Sequence, residues 1–217
     1  NYNGTSWEQL GDDIDGEAAN DRSGWSVSLS ADGSIVAIGA YLNDGETGNE
    51  YDRRGHVRVY NYNGTSWEQL GDDIDGEAEA DESGFSVSLS ADGSIVAIGA
   101  RYNDGVNGED SGHVRVYQFN GSSWVQLGQD IDGEAGGDLS GYSVSLSADG
   151  SIVAIGAYLN DGVNGQSSGH VRVYQYSSDS NSWTQLGDDI DGEAATDSSG
   201  WSVSLSADGS IVAIGGP

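Results

Sequence analysis

Carboxylates dominate the chemistry open to this sequence. Asp12, Asp13, Asp15, Glu17 and Asp21 fall within one short run, and Asp72, Asp73, Asp75, Glu77 and Asp81 repeat it. A third run holds Asp130, Asp132, Glu134 and Asp138, with Gln129 in place of one acid, and a fourth holds Asp188, Asp189, Asp191, Glu193 and Asp197. Carboxylates this dense repel one another unless a cation, or abundant water and salt, lies among them. Two readings follow. In one, Asp13, Asp15, Glu17, Asp21 and their counterparts hold a divalent cation, calcium first; in the other they form a solvated acidic face that keeps the protein soluble. The residue order departs from the Asp-x-Asp-x-Asp-Gly of calcium loops. No cofactor is required by the sequence, and calcium is the ion the acidic runs could hold.

His56, His113 and His170 occur tens of residues apart, each two positions before an arginine: Arg58, Arg115 and Arg172. This wide spacing lacks the closely spaced ligand pairs of familiar metal sites. The expectation is structural hydrogen bonding for the histidines and pairing with nearby carboxylates for the arginines. Asn3, Asn63 and Asn120 each open an Asn-Gly-Thr/Ser sequon, so they are candidate glycosylation sites; the same Asn-Gly pairs also serve as turns. A catalytic centre needs different residues converging on one place, which would break the sequence regularity. Here the chemistry-bearing residues recur evenly, and no catalytic or cofactor-binding residue is assigned.

The 217 residues carry 36 acidic against 7 basic side chains, a net charge of −29, and every basic residue is arginine. Without cysteine there is no disulfide, thiolate metal site or cysteine nucleophile. Without lysine there is no phosphate-loop lysine or Schiff-base chemistry. So negative a field repels phosphate backbones and anionic lipid, so neither nucleic acid nor membrane insertion is expected. Methionine is absent even at position 1, and the expectation is a processed product or a piece of something longer.

These residues are positioned by an internal repeat. Gly24-Trp-Ser-Val-Ser-Leu-Ser-Ala-Asp-Gly-Ser-Ile-Val-Ala-Ile-Gly-Ala40 returns from Gly84, Gly141 and Gly200 with changes only at the aromatic and the last residue. Trp-x-Gln-Leu-Gly recurs at Trp7, Trp67, Trp124 and Trp183, and Gly-His-Val-Arg-Val-Tyr at Gly55, Gly112 and Gly169 only. Repeats are placed at 1–60, 61–117, 118–174 and a partial 175–217, in one domain spanning 1–217. Ser26–Ser30 alternates polar and apolar at period two, Ala31-Asp-Gly33 makes a turn, and Ser34–Gly39 is an apolar run bounded by glycine. Gly55–Tyr62 alternates again, Asn63-Gly64 is a hairpin signal, and Thr65–Leu70 returns. The tail from Gly71 to Ala78 reads as an acidic connecting loop. Four antiparallel strands in each period of about 57–60 residues predict an all-β β-propeller of about four blades, the last incomplete.

Gly-aromatic-Ser-Val-x-Leu-Ser-x-Asp-Gly followed by Val-Ala-Ile-Gly-Ala and Gly-x-Val-x-Val-Tyr resembles the FG-GAP repeat, the blade unit of α-integrin propellers and of bacterial and algal surface repeat proteins. The Phe of that pattern is replaced by Ser23, Ser83, Ser140 and Ser199, and the loop that carries calcium in integrin-type blades is shortened to Ser-Ala-Asp-Gly-Ser, too few oxygens for the ion. The resemblance implies an extracellular, non-enzymatic structural or adhesive role. The missing third-strand unit in the last repeat leaves Ile211–Ile214 as an open edge, so self-association into an oligomer or filament is expected. The alternative is a calcium-assisted module binding a glycan or protein. The loop positions Tyr41, Arg101 and Tyr158 could form a binding rim or simply vary at the surface.

Overall fold

The computed structural model describes residues 1–45, 49 and 51–217. The loop from Asp44 to His56, three residues longer than its counterparts Asp104–His113 and Asp161–His170, lies partly outside them. Seventeen strands and no α-helix occur among the described residues. The first blade comprises β1 (Ser26–Leu29), β2 (Ile35–Ala40), β3 (His56–Tyr62), β4 (Trp67–Gln69) and β5 (Ile74–Asp75). The second comprises β6 (Ser83–Leu89), β7 (Ile95–Ala100), β8 (His113–Phe119), β9 (Trp124–Gln126) and β10 (Ile131–Asp132). The third comprises β11 (Ser143–Leu146), β12 (Ile152–Ala157), β13 (His170–Ser177), β14 (Ser182–Gln185) and β15 (Ile190–Asp191). A last hairpin, β16 (Ser202–Leu205) with β17 (Val212–Gly215), stands where a fourth blade begins.

Each full blade is an antiparallel meander, with the β1–β2–β3–β4 order repeated in the second and third sheets. In one respect the structure corrects the sequence reading. The acidic tail is not all loop: Ile74 and Asp75 pair with Val57 and His56, and the same holds at Ile131–Asp132 and Ile190–Asp191. The fourth strand is therefore split. Its first half pairs with the far end of the third strand, its second half with the near end, and Leu70–Asp73 bulges out between them.

Alternation in each strand gives every blade two apolar faces. Ala37, Val57, Val59 and Ile74 on one face of the first blade pack with Leu89, Val96, Ile98 and Tyr117 of the second. Ala97, Val114, Val116 and Ile131 meet Val144, Leu146, Val153, Ile155 and Trp183 of the third in the same way. Val36, Ile38 and Tyr60, on the opposite face of the first blade, are covered by Ile14 of the N-terminal segment and by Trp67.

Polar bonds between blades repeat with the same regularity. Ser26, Ser86 and Ser143 donate from Oγ to the carbonyls of Gly84, Gly141 and Gly200 in the blade that follows. Ser28, Ser88 and Ser145 accept from the amides of Leu89, Leu146 and Leu205. The indoles of Trp67, Trp124 and Trp183 reach back to the carbonyls of Leu10, Leu70 and Leu127, each at 2.8 Å. Approach is close enough that a Cβ on Gly39 would overlap the Gly84 carbonyl, which is why the strand ends in glycine. Ser83 and Ser140, where the FG-GAP pattern has Phe, are enclosed at 0% and 1% exposure beside the parallel bridges Gly55–Ser83 and Gly112–Ser140; these are places for a small residue.

Candidate functional site

The third strand opens each site. His56, His113 and His170 begin β3, β8 and β13 and are buried at 1–2% exposure. Around each imidazole the fold brings two carboxylates from different parts of the chain, both at Nδ1 in His56 and His170. Around His56 these are Glu17, from the tail preceding the first blade, and Asp73, from the bulge in that blade's own fourth strand. Glu77 and Asp130 stand so at His113, and Glu134 and Asp189 at His170. Nδ1 of His56 lies 3.7 Å from Glu17 Oε2 and 3.6 Å from Asp73 Oδ2, and Nδ1 of His170 lies 3.7 Å from both its partners. His113 Nδ1 is 4.0 Å from Asp130 Oδ2.

Both carboxylates are held by their other oxygen. Gln69, Gln126 and Gln185 donate to Oδ1 of Asp73, Asp130 and Asp189 at 2.6 Å, so Oδ2 is left to face the histidine. Arg58, Arg115 and Arg172 lie 3.7, 3.3 and 3.6 Å from Oε1 of Glu17, Glu77 and Glu134. The same guanidinium groups donate to the backbone carbonyls of Asp15, Asp75 and Asp132 at 2.7 Å. The arginines thus pair with carboxylates as the sequence led one to expect, each with a glutamate from the tail that precedes its own blade. Beside His56 the site opens to a cleft of ≈ 400 Å³ lined by Glu17, Gln69, Asp72, Asp73 and Asp75.

Burial lowers the pKa of all three imidazoles. It lowers the His56 pKa against the opposing pull of Asp73 and Glu17. Burial, helped by Arg115 and opposed by Asp130, takes His113 down to about 4. His170 is lowered by burial and by Arg172, with Asp189 and Glu134 opposing. The structural hydrogen bonding expected of the histidines is absent at two buried ring nitrogens: His170 Nδ1 and His113 Nε2 have no hydrogen-bond partner.

The remaining acids of the four runs go elsewhere. Asp21, Asp81 and Asp138 are buried and accept from the side-chain amides of Asn43, Asn103 and Asn160 and from the backbone of Ala18, Ala78 and Ala135, which makes them turn-fixing groups. Asp197 accepts from the Ala194 amide. Asp13 accepts from Gln9, while Asp15 and Glu193 are exposed. Asp75, Asp132 and Asp191 sit in the short second halves of the fourth strands. Asn3, Asn63 and Asn120 occupy exposed hairpin tips, where each side-chain oxygen accepts from the two following Thr or Ser residues and closes the turn.

A second feature lies at the ends of the first strands. Trp25, Phe85, Tyr142 and Trp201 form a ladder across the blades, with successive ring centroids 5.6, 5.0 and 4.8 Å apart. Tyr41 packs on Trp25 and Tyr158 on Trp201, while the Arg101 guanidinium lies 3.7 Å above Phe85 and pairs with Glu82 at 2.7 Å. Tyr41, Arg101 and Tyr158 are therefore part of a stacked row. Trp25 and Trp201 remain 55% and 41% exposed at its ends.

Comparison with known proteins agrees with this architecture. The model of the FG-GAP repeat matches residues 14–60, which bears out the resemblance there, and the other repeats carry the same residues. No curated protein matches the sequence. Among solved structures, a candidate 6-phosphogluconolactonase from Bacteroides uniformis is similar in fold, with a TM-score of 0.56 at 11% identity over 87% of this chain. This chain covers 46% of that one. Among the described residues, no helix is long and apolar enough to cross a membrane.

Proposed function

We propose that this chain is a non-enzymatic, extracellular structural or adhesive repeat module whose blades associate chain to chain, head to tail, into an oligomer or filament. The observation that carries the reading is the blade-to-blade interface, built three times from the same bonds and presenting its two unmatched halves at opposite ends. One end offers Val27 and Leu29, 63% and 60% exposed, with Trp25 beside them; the other offers the β16–β17 hairpin with Ile211 at 68%. Because the repeats are nearly identical, the surface that β16 presents to solvent is the one β11 presents to β16. A contact between unlike ends does not close on itself and so propagates. Chemistry-bearing residues that recur once per blade suit a scaffold rather than a catalyst, and the extracellular placement follows the FG-GAP resemblance.

Sedimentation of the 217-residue chain over a range of concentration and salt tests this reading. Mean mass should rise with concentration, and rise further as salt screens the −29 charge. The Val27→Glu, Leu29→Glu double variant should remain monomeric. A parent chain that is strictly monomeric under all conditions would refute the reading.

The exposed aromatic ladder supports a second reading, a module that binds a glycan or protein partner on stacked rings. Binding to a glycan array that is lost in Trp25→Ala and Trp201→Ala, with or without calcium, would favour it over the scaffold.

A further inference from the structure

We propose that the three Glu–His–Asp clusters between repeats are binding sites for a divalent transition-type cation, zinc or a metal of its class, with Nδ1 of His56, His113 and His170 as the nitrogen ligand and Glu17 with Asp73, Glu77 with Asp130, and Glu134 with Asp189 as the oxygen ligands.

A hydrogen bond from imidazole to carboxylate would bring the atoms to roughly 2.7–3.2 Å. The separations are 3.6–3.7 Å at His56 and His170 and 4.0 Å from His113 to Asp130, with Glu77 within 4.8 Å of both, too long for that bond. Ligands at about 2.0–2.2 Å around one tetrahedral ion lie about 3.3–3.6 Å from each other, so a small contraction makes each cluster a three-ligand face with a position left for water. Neither neutral tautomer resolves the arrangement on its own. A protonated Nδ1 finds no acceptor within reach, and an unprotonated one points its lone pair at two anions. At His170, whose side chain is 1% exposed, Nδ1 is indeed without a partner while facing Glu134 and Asp189. A cation between the three groups satisfies all of them.

The surroundings are arranged for the purpose. Gln185 and Arg172 fix the far oxygens of Asp189 and Glu134, and the other two sites have the same supports. Such partners orient metal ligands and tune affinity. The arginine offsets one of the two carboxylates, leaving each site negative within a strongly acidic molecule. One nitrogen and two carboxylates suit zinc, manganese or cobalt; calcium asks for six to eight oxygens, which the clusters do not supply. This reassigns the acidic runs: the second and third supply two ligands each (Asp73 and Glu77, Asp130 and Glu134), the first only Glu17 and the fourth only Asp189, and they act on histidines that sequence spacing passed over. Since Glu77 and Glu134 lie in the tail after one blade while the histidine and aspartate belong to the next, those two ions would tie consecutive blades together, and the ion at His56 would tie the N-terminal segment to the first blade, independently of any chain-to-chain assembly.

The test uses the full chain after removal of metal with a chelator, titrated with zinc chloride and, separately, calcium chloride. Bound metal is counted by calorimetry, melting temperature is followed, and cobalt absorption reports nitrogen ligation. Zinc should bind at about three per chain and raise the melting temperature, since it binds the folded form; calcium at equal concentration should do neither. Glu134→Gln, an exposed position that leaves the core intact, should remove one equivalent, and the triple variant Glu17→Gln, Glu77→Gln, Glu134→Gln should lose at least roughly tenfold in zinc affinity at every site. Gln185→Leu, which frees the Asp189 carboxylate, should weaken one site alone. Zinc binding that is equally strong in the triple variant would overturn the proposal, as would a response to calcium equal to that to zinc. Absence of stoichiometric binding at micromolar zinc would do the same.

Discussion

The same four residues, Ser-Val-Ser-Leu, form β1 at one end of the molecule and β11 in its middle, and the two fare differently. In β11 Val144 and Leu146 are 9% and 7% exposed; in β1 Val27 and Leu29 are 63% and 60% exposed. Sequence, strand length and register are alike, each strand pairing with an Ile-Val-Ala-Ile-Gly-Ala neighbour over four residues. What differs is that the second blade covers β11, while among the described residues no blade packs on β1 from that side. In an array of this kind, stability is a sum of repeat terms and nearest-neighbour interface terms. The contrast between β1 and β11 isolates the second.

The largest test of that contrast removes the leucine at each place. Leu146→Ala empties part of the core between the second and third blades and should cost about 2–5 kcal/mol in denaturant unfolding. Leu29→Ala removes a side chain already mostly in water and should cost less than about 1 kcal/mol. Equal losses would mean that β1 is covered in solution, which is the outcome chain-to-chain assembly predicts at high concentration. Running both variants across concentration therefore sharpens the comparison.

A methyl group added at the close approaches should discriminate nearly as well. A Cβ on Gly99 would strike the Gly141 carbonyl of the next blade, so Gly99→Ala should destabilise by about 1–3 kcal/mol. At Gly215 the same Cβ meets only the rotatable Ser202 hydroxyl, and Gly215→Ala should change stability by less than about 1 kcal/mol. Thermal unfolding of the two variants measures the difference.

Smaller again is the loss of a single inter-blade hydrogen bond. Ser88 accepts the Leu146 amide at 3.0 Å, and Ser88→Ala should leave that amide unpaired at a cost of about 1–2 kcal/mol. The equivalent Ser204, exposed in the last hairpin, should tolerate alanine within about 0.5 kcal/mol. Hydrogen exchange at Leu146, faster in the first variant, checks that the amide is the group affected.

Much of this fold could be read in the residues because the period-two strands, the glycine-bounded apolar runs and the Asn-Gly turns are each set by local chemistry. The second half of the fourth strand was not readable. Ile74 is one apolar residue in an acidic run, and its pairing with Val57 is dictated by the third strand rather than by its own neighbours. The site shows the same division. That Arg58 would pair with a carboxylate follows from the charge count, but which acids meet His56 does not. Glu17 and Asp73 belong to different acidic runs and converge because the tail before each blade lies beside that blade's third strand. Rules of ligand spacing presuppose one element, so they put the histidines aside.

What is set locally should not distinguish the ends from the middle, and the Ser-Ala-Asp-Gly-Ser turns test this with the smallest effect. Asp32, in the first blade, accepts from Ser34 Oγ at 2.7 Å, from the Ser34 amide at 2.9 Å and from Ser30 Oγ at 2.9 Å. Asp208, in the last hairpin, accepts from Ser206 and Ser210 in the same pattern. Hydrogen bonds to the charged form lower both carboxyls from 3.8 to about 2, Ser34 contributing most at Asp32 and Ser206 most at Asp208. Asp92, in the second blade, is also lowered, although burial there is the largest influence and acts the other way. A folded-state value below the unfolded one means that the unfolded chain binds more protons between the two. The turns therefore contribute their stability above pH 3.8 and lose it as pH falls from there through about 2. Carboxyl titration by nuclear magnetic resonance should give Asp32 and Asp208 superimposable curves with midpoints near 2. If Asp32 titrated at its ordinary value while Asp208 did not, the turn would depend on its neighbouring blade, and the separation of local from interface terms drawn from β1 and β11 would fail.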